Sequence, residues 1–337
     1  MAVRRWTAAI IGLFCGPLAA ADKLPRLHAL TDEWTVSGLS SGGYMASQIA
    51  VAHSRVVRGV GVFAGGPYYC VGIDPRRAEG ECMKGAPDPA ASRREAERLA
   101  ALTLVDPVDN LKRTRSWVLA GAADQVVAEP VVHATSRFFA AYNGAGAVYA
   151  VQPGLGHGLP TSGFGVACGL SAPPFLNDCG VASVESMLAH LLPSVALVAS
   201  AKGRLLIFDQ NEFVPMLRRL WGTASLDAVG YVYVPEQCAG RRCRVHVALH
   251  GCRQGAAQVG DVFARHAGYN AWAEAHDLIV LYPQVRPSEP SFYAWWQPFN
   301  PRGCWDWWGY TGTDYATKSG VQIATVVAMV ARLGQPR

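Results

Sequence analysis

The segment that most constrains this chain is Gly38-Leu39-Ser40-Ser41-Gly42, which lies between a short strand, Trp34–Ser37, and a helical stretch, Gly42–His53. A G-x-S-x-G sequence in that position spells a sharp strand-to-helix turn. Its glycines let strand and helix approach closely, and its serine takes a strained backbone conformation that projects the hydroxyl at the end of a sheet. The helix that follows aims its N-terminal dipole at the same spot. A chain built around such a turn needs a sheet whose strand ends carry the chemistry.

The rest of the sequence supplies that sheet. Strand signals recur at Val56–Phe63, Ser116–Leu119, Ala147–Val151, Arg204–Phe208, Val229–Val234, Val245–Leu249 and Leu278–Tyr282. Helical signals recur at Ser92–Leu102, Ala256–Ala275 and Gly320–Leu333. Strands alternating with helices predict an α/β fold, a mainly parallel sheet with helices on both faces. With 337 residues, half of them hydrophobic and 16% charged, the chain can bury a large core. The formal charge of +5 comes from scattered basic residues rather than a stripe, so no nucleic-acid partner is expected.

Arg4 and Arg5, the apolar run Trp6–Leu18 and Ala19-Ala20-Ala21 read as a signal peptide cleaved after Ala21. The run is too short for a comfortable membrane span, and Phe14 before Cys15 does not suit a lipoprotein signal. The expected domains are residues 1–21 as signal peptide and 22–337 as one catalytic domain, with 193–203 the one plausible internal seam. The chain is expected in the periplasm or outside the cell, as a monomer without a membrane anchor. Eight cysteines remain: Cys70, Cys82, Cys168, Cys179, Cys238, Cys243, Cys252 and Cys304. An even number in an oxidising compartment suggests four disulfides, although eight cysteines allow 105 pairings. Three pairs are near neighbours, 70/82, 168/179 and 238/243, which leaves 252 with 304. No CxxC or HExxH spacing occurs, so neither metal nor cofactor is expected.

A serine hydroxyl becomes a nucleophile when a histidine takes its proton and a carboxylate orients that histidine. In hydrolases with this turn the chain order is serine, carboxylate, histidine, each after a strand. Strand 116–119 runs into Gly121-Ala122-Ala123-Asp124, and strand 147–151 into Gly154-Leu155-Gly156-His157-Gly158. Ser40, Asp124 and His157 are therefore the candidate triad, with Asp106 and Asp109 as fallback carboxylates. His53, His133 and His190 sit in helix-like stretches and read as surface or packing residues. The Ser41 backbone N–H is one candidate oxyanion donor. The second usually comes from a His-Gly loop that precedes the nucleophile. Here it comes late, as His250-Gly251-Cys252 after strand 245–249, which makes the Cys252 N–H the second donor and His250 a loop brace. Placing residues 200–337 ahead of residue 30 restores the usual order, so the chain reads as a circularly permuted α/β-hydrolase.

Three segments carry a closer resemblance: Gly-Leu-Ser-Ser-Gly-Gly-Tyr-Met (38–45), His-Gly-Cys-Arg-Gln (250–254) and Gly-Cys-Trp-Asp-Trp-Trp-Gly-Tyr (303–310). Together they resemble the poly(3-hydroxybutyrate) depolymerase family, in its single-domain, permuted form, over nearly the whole mature chain. The resemblance implies a triad of Ser40, Asp124 and His157, oxyanion donors at Ser41 and Cys252, and a Cys252–Cys304 disulfide holding the oxyanion loop. Many secreted members carry a linker and a separate polymer-binding domain, and neither follows in this sequence. The expected substrate is a polyester polymer or its oligomers, cleaved through an acyl-enzyme.

Nine aromatic residues crowd Phe292–Tyr310, interleaved with glycine and proline, and read as a loop. Trp305, Trp307, Trp308 and Tyr310 are the expected groove lining, on which an aliphatic polyester can pack without specific hydrogen bonds. Fold and triad do not fix the substrate. A feruloyl or acetylxylan esterase, acting on plant cell-wall esters, is the alternative reading, and a non-catalytic polymer-granule binding protein a further one.

Overall fold

A computed structural model of the chain describes residues 22–193 and 203–337. The expected signal peptide, and nearly all of the seam expected at 193–203, lie outside the described residues. The strands are β1 (Leu30–Leu39), β2 (Val57–Phe63), β3 (Arg115–Gly121), β4 (Ala147–Gln152), β5 (Leu159–Thr161), β6 (Val166–Ala167), β7 (Leu176–Asp178), β8 (Arg204–Asp209), β9 (Val229–Val234), β10 (Arg244–Leu249) and β11 (Leu278–Tyr282). The helices are α1 (Ser41–Ala52), α2 (Pro89–Ala101), α3 (Glu129–Ala140), α4 (Ser183–Leu191), α5 (Met216–Leu220), α6 (Ala256–Val259), α7 (Val262–His266), α8 (Tyr269–Ala275) and α9 (Val321–Gly334).

Eight strands form one sheet in the order β4-β3-β2-β1-β10-β11-β9-β8. Every pairing from β4 across to β11 is parallel, and β9 and β8 complete one edge in antiparallel fashion. The fold is thus α/β with a mainly parallel sheet, and both faces are covered. Val245, Val247 and Leu249 of β10 and Ile279 and Leu281 of β11 pack into one apolar layer with α1, α2, α3 and α9. Ala248 of β10 and Leu278, Val280 and Tyr282 of β11 pack into the other with α4, α7 and α8. Alternate residues of a strand face opposite sides, so strands buried on both faces read as unbroken apolar runs.

Register matters for the site. Gly38 lies opposite Leu249, Leu39 opposite Phe63, and Phe63 opposite Leu119, so β1, β2, β3 and β10 end at one edge of the sheet. The segments after β1, β3, β4 and β10 all emerge there. The single helix expected over Ala256–Ala275 is instead three short helices. Gly260 (φ 63°) and Gly268 (φ 92°) take left-handed conformations that an α-helix does not pass through, and each ends or starts a helix.

Candidate active site

The turn after β1 has the strain expected of it. Ser40 sits at φ 55°, ψ −122°, a backbone conformation that a residue with a side chain rarely takes. Its N–H donates to the Phe63 carbonyl at 2.8 Å and its carbonyl accepts the Tyr44 N–H at 3.0 Å, so neighbouring strand and helix hold it there. The glycines have steric reasons. A Cβ on Gly38 would lie 2.4 Å from the Gly42 backbone, and one on Gly42 would lie 2.4 Å from the Leu249 carbonyl oxygen. Strand β1, helix α1 and the end of β10 therefore meet at van der Waals distance around Ser40. All twelve residues of α1 are buried, which anchors the turn.

Asp124 and His157 meet at the same edge. Asp124 Oδ2 lies 2.8 Å from His157 Nδ1, and both side chains are buried. Asp124 Oδ1 accepts the N–H groups of Val126 at 2.7 Å and Val127 at 3.0 Å, which fixes the carboxylate. An ionised carboxylate only accepts, so the shared proton sits on Nδ1 and the Nε2 lone pair is left as a base. Behind the imidazole, the His157 N–H donates to Ser171 Oγ at 2.8 Å and the Phe175 ring meets the imidazole edge-on at 6.3 Å. The fallback carboxylates are elsewhere. Asp106 pairs with Lys318 at 2.5 Å and accepts the Arg55 N–H, and Asp109 pairs with Lys112. His133 is exposed and tilted against the Tyr149 ring, and His190 bonds the Gly146 carbonyl, consistent with surface or packing roles.

The loop after β10 is pinned from two sides. The Val285 N–H donates to His250 Nε2 at 3.2 Å, so the proton sits on Nδ1 and is donated to the Gly251 carbonyl at 2.7 Å. Burial drives the pKa of this imidazole down to about 4 and keeps it neutral. The Gly251 N–H donates to Gln254 Oε1 at 2.7 Å. Gln254 Nε2 in turn donates to the carbonyls of Pro174, at 2.7 Å, and Phe175, at 3.2 Å. Because a trans peptide is planar, a Gly251 carbonyl fixed by His250 turns the Cys252 N–H the opposite way, and that N–H finds no backbone acceptor among the described residues. The loop lies against Ser40: a Cβ on Gly251 would be 3.4 Å from Ser40 Cβ. Disulfides join Cys70 to Cys82, Cys168 to Cys179, Cys238 to Cys243 and Cys252 to Cys304.

The aromatic loop corrects one expectation. Trp305 is fully buried, with its backbone N–H donated to Ser41 Oγ at 3.2 Å, so its ring is core and not groove lining. Trp307 is 7% exposed and stacks on Tyr44 with ring centroids 4.3 Å apart. The Tyr310 hydroxyl donates to the Cys304 carbonyl at 2.6 Å, and Trp308 is half-buried against the Tyr310 ring. The organiser of this loop is Asp306, a residue that sequence reasoning passed over. Its buried carboxylate accepts backbone N–H groups from Trp308, Gly309, Tyr310 and Thr311 and the Thr311 hydroxyl. Burial pushes its pKa up, and these donors oppose that shift. The exposed rings lie earlier in the segment: Phe292 (90%), Tyr293 (86%), Trp295 (75%) and Phe299 (66%). Trp296 donates its indole N–H to the Trp221 carbonyl at 2.9 Å, joining these rings to exposed Met216, Leu217, Leu220 and Trp221 on and after α5.

No protein-family model matches the chain. It is 34% identical over 328 residues to a poly(3-hydroxybutyrate) depolymerase of Delftia acidovorans, covering 94% of this chain and 63% of that one, under two thirds of its length. It is 33% identical over 327 residues to a polyhydroxybutyrate depolymerase of Talaromyces funiculosus, covering 93% of each. Among solved structures, it matches a serine-to-alanine variant of a PHB depolymerase complexed with an R3HB trimer, at a TM-score of 0.81 and 31% identity, over 92% of this chain and 98% of that one. The PHB depolymerase of Penicillium funiculosum matches with the same TM-score, identity and coverage. A 33% identity over 93% of both chains, with the same fold, makes this chain a member of the poly(3-hydroxybutyrate) depolymerase family of ester hydrolases.

Proposed function

We propose that this chain is an exported serine esterase that hydrolyses poly(3-hydroxybutyrate), or a related short-chain polyhydroxyalkanoate, to monomers and oligomers. The observation that carries this reading is the buried Asp124–His157 pair, 2.8 Å between Oδ2 and Nδ1, at the sheet edge where strained Ser40 also sits. His157 Nε2 takes the Ser40 proton as Oγ attacks the ester carbonyl. The backbone N–H groups of Ser41 and Cys252 receive the oxyanion. His157 then protonates the departing hydroxyl, and the acyl-serine is released by a water that gives its proton to the same nitrogen. Asp124 holds the imidazole in the tautomer both steps need.

A polymer substrate is supported by the exposed band formed by Phe292, Tyr293, Trp295 and Phe299 together with Trp221 and the apolar side chains of α5. A contiguous apolar band of this kind is costly to leave in water and suits a hydrophobic surface. Export is supported by the four disulfides, and no helix among the described residues is long and apolar enough to cross a membrane. A single catalytic domain over 22–337 is supported by the eight-stranded sheet, to which strands from both halves of the chain contribute. The permuted reading is supported by strand order. If residues 203–337 came first, the sheet would run 1-2-4-3-5-6-7-8, with the His-Gly strand third and the nucleophile after the fifth.

Product analysis tests the reading. Release of 3-hydroxybutyrate and its oligomers from amorphous polymer is expected. Release of ferulate or acetate from cell-wall esters, with no attack on the polyester, would replace it with the cell-wall esterase alternative.

A further inference from the structure

A cleft of about 450 Å³ lies away from the triad residues, lined in part by Arg218, Arg219 and Arg286. Its accessible wall is more polar than apolar, with Asn211, Ser225, Leu226 and Pro287 among the other lining residues. Asp227 is the single carboxylate in the lining, and its Oδ1 accepts the Val229 N–H at 3.1 Å. Among the described residues, every ion pair involves other side chains, so none of these three guanidiniums is paired with a carboxylate. Two of them are held by neutral groups: Arg218 donates to the Thr311 carbonyl at 3.1 Å and Arg219 to the Asn211 carbonyl at 3.3 Å. Arginines gathered on one cleft repel one another, and a bound anion relieves that repulsion.

The cleft borders the exposed aromatic band. A Cβ on Gly222, one of the lining residues, would lie 3.2 Å from Gln297 Nε2 and 3.8 Å from an Arg286 terminal nitrogen, and Trp221 beside it meets Trp296 edge-on at 5.1 Å. A mostly polar cleft that gathers three guanidiniums beside an exposed aromatic band matches a short aliphatic chain that ends in a carboxylate, its charge in the cleft and its body on the rings. Ester hydrolysis makes such an end at every cut: one ester bond and one water give one hydroxyl and one carboxylate. The intact polymer is neutral along its length.

We infer that the Arg218–Arg219–Arg286 cleft is a second site of this chain that binds the free carboxylate end of hydroxyacid oligomers, distinct from the Ser40 site that cuts them. The inference rests on the polyester reading for its ligand. It gives the chain a means to hold a released or surface chain end beside the aromatic band while the triad works on the ester bonds.

The test uses the mature Ser40→Ala protein, which cannot consume the ligand, with 3-hydroxybutyrate trimer as the free acid and as its methyl ester. Calorimetry should show the acid binding at least about fivefold more tightly than the ester, a preference that rising salt weakens. The Arg219→Ala/Arg286→Ala double variant should lose that preference with an unchanged melting temperature, while Arg286→Lys keeps part of it. With Ser40 intact, the double variant should turn over a short p-nitrophenyl ester at the wild-type rate. Equal affinity for acid and ester, an acid preference that survives the double variant, or acetate competing as well as the trimer would each overturn the assignment. Failure of the polyester reading would show separately, as an absence of polymer hydrolysis by the wild-type protein.

Discussion

Gln254 reaches Phe175 across 79 residues of sequence, donating its side-chain N–H to the Phe175 carbonyl at 3.2 Å. The other end of the same amide accepts the Gly251 N–H at 2.7 Å, and the Phe175 ring packs on His157. One fully buried side chain thus ties the loop that carries Cys252 to the wall behind His157. Gln254→Met keeps the length and removes every polar contact, leaving buried backbone groups unpaired. We expect kcat on a short ester to fall by about tenfold to a hundredfold with little change in KM, since the loss falls on transition-state alignment. A kcat within about twofold of wild type in a folded protein would mean that the amide only fills space.

The triad assignment predicts a larger effect. Ser40→Ala and His157→Ala should each lower kcat/KM on the order of a thousandfold or more, and Asp124→Asn should be severe because the imidazole loses the acceptor that sets its tautomer. Residual turnover above about a tenth of wild type in Ser40→Ala would remove Ser40 as the nucleophile.

Parts of this site were legible because they leave marks in the chain. Ser40, Asp124 and His157 each follow a strand, and glycines flank the serine and the histidine for steric reasons that a sequence displays. Gln254, Asp306 and Phe175 leave no such mark. Gln254 and Phe175 act across long sequence separations, and Asp306 acts through an irregular local turn onto residues 308–311, and neither imposes a period or a spacing. The aromatic segment announced itself by composition, yet composition does not say which way a ring turns. Trp305 faces the core because its neighbours Cys304 and Asp306 are both tied down, whereas Trp295 lies outside those ties. The run 256–275 reads as one helix joining two strands, and the left-handed backbone at Gly260 and Gly268 divides it.

Two buried histidines set an acid limit. Burial lowers the pKa of His250 to about 4 and that of His246, which lies between the Thr35 and Ser37 hydroxyls, to about 3. Both folded values lie below the unfolded value of about 6.5, so the unfolded chain takes up protons first as pH falls. Their stabilising effect is complete above about pH 6.5 and is lost progressively down to about pH 4 for His250 and about pH 3 for His246, on the order of 3 kcal/mol for His250. Chemical unfolding measured at several pH values between 6.5 and 4 should show stability falling, with a shallower slope in His250→Gln. An identical slope in that variant would mean His250 already titrates at its ordinary value in the fold.

The exposed aromatic band leads to a prediction that separates surface contact from chemistry. Trp295 and Phe292 stand in solvent, whereas Trp307 is stacked on Tyr44 beneath the loop. Removing both exposed rings in Trp295→Ala/Phe292→Ser takes apolar contact from a polymer surface but touches nothing around Ser40. Hydrolysis of amorphous granules should drop by roughly fivefold or more, and turnover of a soluble p-nitrophenyl ester should stay near wild type. Crystalline film should be attacked more slowly than amorphous granules by either protein, because its chains must first be drawn from a packed lattice. Trp307→Ala should behave differently, opening a cavity against Tyr44 beside the α1 turn and lowering the melting temperature, with both substrates affected alike. Side-by-side kinetics on granules and soluble ester, with melting curves for each variant, make the comparison. Equal losses on both substrates in the double variant would place the polymer contact somewhere other than this band.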